Sequence, residues 1–147
     1  MNPLQALVAK LLVTAKVLAG YPVPAVPPAV SFAPDGELAA LACNGCQAHG
    51  LVNGLFLPER GIILSGRLDP GHDVRARAVL LHEIVHYLQE LNGRFADRPA
   101  CERYFLRERE AYAVENRYLA RHQEPPNQGW LILVQGGGVL TCGGGSR

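Results

Sequence analysis

The chain has 147 residues, 48% hydrophobic and 18% charged, which is enough for one modest core and too apolar for a disordered chain. A formal net charge of +1 gives no reason to expect nucleic acid, an anionic membrane or an acidic substrate as partner. No run is long and apolar enough to cross a bilayer, since the best stretch, Leu4 to Ala19, is interrupted by Lys10 and Lys16.

That first stretch predicts an amphipathic helix over 3–19. It makes a poor secretory signal, because it lacks a basic start and its lysines fall where an apolar run is needed. A cytoplasmic chain and one exported after removal of a leader both stay open, and so does the oligomeric state. "GYPVPAVPPAVSFAP" follows. Its prolines fix φ and remove donors, so an extended connector is expected, with "AVSFA" a short edge strand. "GELAALAC" fits either a strand or a helical turn. "GLFL" and "GIILSG" are short apolar runs joined by "PER" and a glycine, the pattern of a hairpin or of two adjacent strands.

Between these segments lies Cys43-x-x-Cys46-x-x-His49. It reads as a disulfide or plain buried thiols before a structural zinc or redox motif, because a second ligand pair at standard spacing is missing. A bridge from Cys43 or Cys46 to Cys101 would tie the strand region to a later helix. Cys142 is the fourth cysteine. His49, His72 and His122 read as loop or helix-end residues in water.

A helix is expected from about Asp73 to Asn92, with Asp69 or Asp73 as its cap. Val74, Ala78, Leu81, Val85 and Leu88 repeat at helical spacing. Leu80, Ile84, Tyr87 and Leu91 widen that face, so much of the helix should be buried. Asn92-Gly93 supplies a left-handed stop. A second helix is expected from about Pro99 to His122, capped by Asp97 and ended by Pro125 and Pro126. "WLILV" reads as a last strand before a glycine-rich tail.

"LLHEIVHYLQ" carries the chemistry. His82 and His86, four apart, lie one turn apart on one helix face and can reach one ion. Glu83 is rotated by about 100° from His82, so it can stand beside the ion and take a proton from water there. The competing reading is a chance motif in a buried helix. Burying two imidazoles and a carboxylate without partners costs several kcal/mol in order of magnitude, and coordination removes most of that cost. A third ligand is then required. No glycine–histidine continuation follows the motif, which excludes the extended metzincin pattern. Helix 99–122 offers Glu102, Glu108, Glu110 and Glu115. Taking Cys101, Phe105, Tyr112 and Leu119 as its apolar face, widened by Tyr104 and Ala111, Glu108 falls in the middle. Glu110 falls opposite, with Arg103, Arg117 and Arg121, where it would pair with arginines in water. Glu108 is therefore preferred, and Glu115 can orient a histidine from behind.

At "HEIVH" and "ERYFLREREAYAVENRYL" the chain resembles the small bacterial gluzincin-type zinc metallopeptidases, over roughly residues 30 to 121. The resemblance implies His82, His86 and Glu108 as zinc ligands, the last because related enzymes use a glutamate three residues before an alanine, here Ala111. It implies Glu83 as general base and a peptide or protein as substrate. It also implies an α+β, zincin-like fold in a single domain over 1–147, with a core at about 30–122 and an extension at 123–147. A small sheet would lie beside the motif helix, with the second ligand helix packed against it. "GIILSG" would be the edge strand over the cleft. Where relatives carry an acidic or amide residue after that alanine, this chain has Tyr112, which is either a core aromatic or a group facing an oxyanion. The rival of another class is a zinc-bound binding or inhibitory module that keeps this fold without turnover.

Overall fold

The structure is a computed structural model that describes residues 1–42 and 52–131. It is α+β, with a three-stranded sheet and four helices among the described residues. Helix α1 spans Pro3–Ala19 and is amphipathic as expected. Asn2 and Gln5 form a reciprocal capping box, which satisfies two of the donors a helix start leaves open. Val8, Leu11, Leu12, Ala15 and Leu18 are buried along one stripe.

The proline segment runs out into strand β1, Val30–Ala33, and its path is fixed where the Tyr87 hydroxyl donates to the Val26 carbonyl. "GELAALAC" resolves as helix α2, Asp35–Ala42, with Leu38 fully buried. Strands β2, Gly54–Leu57, and β3, Gly61–Ser65, form the expected antiparallel hairpin.

The order of the sheet corrects one expectation. β3 is the central strand, parallel to β1 and antiparallel to β2, so "GIILSG" is no edge. The reason is burial on both faces. Ile62 and Leu64 point into the main core, whereas Ile63 points to the other side with Ala33 and Leu38. β2 is an outer strand instead.

Helix α3, Val74–Asn92, starts at Asp73, whose carboxylate accepts from the Arg75 amide, and ends at Gly93 in the left-handed conformation (φ 64°). Asp69 serves elsewhere, contacting His72 in the preceding turn. From Leu80 to Val85 every side chain of α3 is buried, because β3, α1 and helix α4, Ala100–Arg121, enclose it on several sides. The start of α4 departs from expectation. Pro99 occupies the cap position and no side chain caps it, so Asp97 has no such role.

The buried face of α4 is also rotated from the expected one. It is centred on Ala111, Val114, Glu115, Tyr118 and Leu119, about one residue's turn away from Cys101, Phe105 and Tyr112, which are only partly buried. Tyr104 does not widen that face; it is 57% exposed. Residues 129–131 have helical backbone, so the described part of "WLILV" is not a strand. Trp130 packs on Phe105 with ring centroids 4.8 Å apart. Cys101 is disulfide-bonded. Cys43, Cys46, His49 and Cys142, with the expectations placed on them, lie outside the described residues. No helix among the described residues is long and apolar enough to cross a membrane.

Candidate metal centre

α3 and α4 pack side by side, and their facing sides carry the titratable residues singled out in the sequence. His82 and His86 come from consecutive turns of α3. Their Nε2 atoms are 3.2 Å apart. Glu108 reaches across from α4, with Oε1 3.3 Å from His82 Nε2 and Oε2 2.6 Å from His86 Nε2. The three residues therefore each offer a ligand atom to one small volume. Ligands about 2.0–2.1 Å from a tetrahedral zinc stand about 3.3 Å apart. Two of the three distances fit that edge. The third, at 2.6 Å, has the length of a charge-assisted hydrogen bond.

The far side of each ring fixes its tautomer. His82 Nδ1 lies 2.8 Å from Glu115 Oε1, an acceptor, so Nδ1 carries hydrogen. His86 Nδ1 lies 2.8 Å from Gln89 Oε1. The Gln89 amide is oriented by its own donor, which gives hydrogen bonds to the Arg107 carbonyl and to Glu110 Oε1. In the neutral rings both Nε2 lone pairs then point at each other and at a carboxylate. Acceptors that converge without donors require a cation between them, either protons or a metal. Histidines whose other nitrogen is held by an acceptor are the usual partners of a metal.

The electrostatics follow from that demand. Burial opposes charge on His82, yet hydrogen bonds to Glu108 and Glu115 and the charge of Glu83 hold its pKa well above the usual imidazole value. Burial would raise the Glu108 carboxyl, but hydrogen bonds from both histidines keep it far below the usual carboxylate range. A metal cation at this point would be held by the same three residues.

Glu83 is buried beside the cluster, with Oε2 4.0 Å from His82 Nε2. Burial raises its carboxyl above the usual range, against the pull of His82 and His86. β2 closes in here: a Cβ on Gly54 would stand 3.1 Å from Glu83 Cγ, so glycine lets the strand approach the helix. The cluster opens into a cleft of about 870 Å³ between β2, α3 and α4, which also reaches Asn127 and Gly129.

Glu115 stands behind His82, fully enclosed, and its second oxygen accepts from Asn127 Nδ2 at 2.7 Å. Glu110 does not sit in water among arginines. It is half-buried, accepts from Gln89 and from the Tyr21 hydroxyl, and has Arg94 3.5 Å away. The rotated face of α4 explains this: Glu108 lies at the border facing the cleft and Glu110 towards the other border. Tyr112 packs its ring against His82, 4.5 Å between centroids, with its hydroxyl beside Gly129. Glu102 pairs with Arg98 at the surface. His72 pairs with Asp69 in water, and His122 donates to the Tyr118 carbonyl.

Gln89 and Tyr21 were missed from sequence. A signal for Gln89 existed, since it lies one turn beyond His86 on the ligand helix. Tyr21 offered none, being brought in by packing alone. No protein-family model, curated protein or solved structure matches this chain.

Proposed function

We propose that this chain is a zinc-dependent peptidase of zincin-like architecture, with His82, His86 and Glu108 as ligands and Glu83 as general base. One observation carries the reading: two histidines and a glutamate each bring one possible ligand atom within 4.8 Å of the others, next to a buried carboxylate and an open cleft. Zinc, when bound, supplies a Lewis acid and a water of lowered pKa.

The chain's own residues supply the rest. Glu83 is close to the donors without being drawn into the cluster. It is placed to take a proton from water and return it to the leaving amine nitrogen. Glu115 and Gln89 hold the two imidazoles in the ligating tautomer. β2 lines the cleft as an outer strand, so an extended peptide can add along its edge, and main-chain hydrogen bonds then set the direction of the substrate.

The test compares zinc-loaded wild type with Glu83→Gln on a mixed peptide library read by mass spectrometry. Wild type is expected to cleave. Glu83→Gln is expected to retain zinc and lose at least about 100-fold in rate, the lower end for loss of a general base. Equal cleavage by both removes the role given to Glu83. Zinc retained with cleavage by neither favours the inactive binding module.

A further inference from the structure

Arg103 and Arg107 line the cleft at the end where α3 turns into α4. Arginines are almost never fully buried without a partner, and these two are half-buried at the cleft wall. Arg107 has a loose partner, Glu90, at 3.7 Å, and donates through Nε to the Arg94 carbonyl. Arg103 has no carboxylate within ion-pair distance among the described residues, and gives one hydrogen bond, to the Arg98 carbonyl. Stretches 43–51 and 132–147 contain no aspartate or glutamate side chain. A guanidinium has five donor hydrogens in a fork shaped for a carboxylate, and among the described residues Arg103 commits one of them.

We propose that Arg103, assisted by Arg107, forms a subsite for a carboxylate of the bound peptide. This rests on the peptidase reading for its location beside the scissile bond. The five residues from Arg103 to Glu108 rise about 7.5 Å along the helix. They also turn by about 140° around it, so the carboxylate belongs to a side chain or a chain terminus within a few residues of the cut bond. Glu90 sharpens the choice, since it competes for Arg107 and leaves Arg103 as the dominant anchor. The near-zero net charge of the chain conceals this preference, because acids elsewhere cancel these arginines in the total.

The experiment measures binding and cleavage separately. Fluorescent octapeptides on an alanine–leucine background carry a single Glu, Gln or Lys moved along the chain, with both ends capped. A second set lacks acidic side chains and has a free C-terminal carboxylate. Anisotropy is read with zinc-loaded Glu83→Gln protein, and cleavage with wild type. At one position Glu is expected to bind about tenfold tighter than Gln, which is about 1.4 kcal/mol. Arg103→Glu is expected to reverse the order in favour of Lys, with neutral peptides unaffected. Preference confined to the second set assigns the subsite to a chain terminus. Binding without charge preference, preference that survives in Arg103→Glu, or no binding by folded, zinc-loaded protein overturns the proposal. If Arg103→Glu does not fold, Arg103→Gln carries the test by abolishing the preference. Charge-selective binding without any cleavage sinks the peptidase reading and leaves the subsite standing.

Discussion

His86 illustrates how much one candidate ligand depends on groups outside the cluster. Its Nδ1–H rests on Gln89, whose amide is held by the Arg107 carbonyl and Glu110, which in turn accepts from Tyr21. Gln89→Ala is expected to leave the fold intact and weaken zinc binding about 10- to 100-fold, with Gln89→Glu recovering most of it. Competition with a chromogenic chelator reads this directly, and an unchanged affinity would mean that packing alone orients the ring. At this scale the sequence is informative where chemistry is local. His82, Glu83 and His86 follow from spacing within one helix, and Glu108 from helical phase. That phase was off by about one position, and Glu108 survived the error because it borders the buried face. Glu110 did not: its partner Tyr21 is 89 residues away in sequence, and no periodicity reports such a contact.

The elements were legible in proportion to their punctuation. α1 and α3 have a side-chain cap, a regular apolar stripe and a left-handed glycine at the end. α2 has eight residues and a weakly sided pattern, too short for the two periods to separate. The hairpin was readable from its turn, but the place of β3 was not. Its parallel pairing with β1 joins Val30 to Ile62, with α2 and β2 between them in sequence, a contact of long range. The junction of these elements is held by Asp35, at the start of α2, which accepts from Ser65 at the end of β3 and from Arg67 just beyond it. The hydrogen bond from Ser65, then that from Arg67, lowers the Asp35 carboxyl below its usual value. A carboxyl lowered on folding stabilises above its unfolded pKa, and that contribution fades as pH falls through the folded value. Asp35→Asn should therefore lower Tm at neutral pH, with the gap to wild type closing below about pH 3–4. A gap that stays constant with pH would assign the effect to shape instead of charge.

At the scale of the whole molecule, the sheet separates two packing regions, and the candidate site sits on one side. The main core joins α1, α3, α4 and the Ile62 and Leu64 face of β3. The smaller cluster joins Leu38 to Ile63 and Ala33. Because α3 is enclosed by α1, β3 and α4, the His82–Glu83–His86 turns are held by packing on several sides. β2 and α4 then leave a single flank open as the cleft. This arrangement buries polar groups in the centre of a small protein, where each needs a partner.

Zinc binding is thus the property on which the account stands or falls. The decisive measurement is a calorimetric zinc titration of chelator-stripped wild type, Glu83→Gln and Glu108→Ala, with metal content checked by elemental analysis. The account predicts one tightly held zinc per chain in wild type, with release of protons, a similar affinity in Glu83→Gln, and a loss of at least about 100-fold in Glu108→Ala. No binding by the folded wild-type chain, or equal affinity in Glu108→Ala, would contradict it.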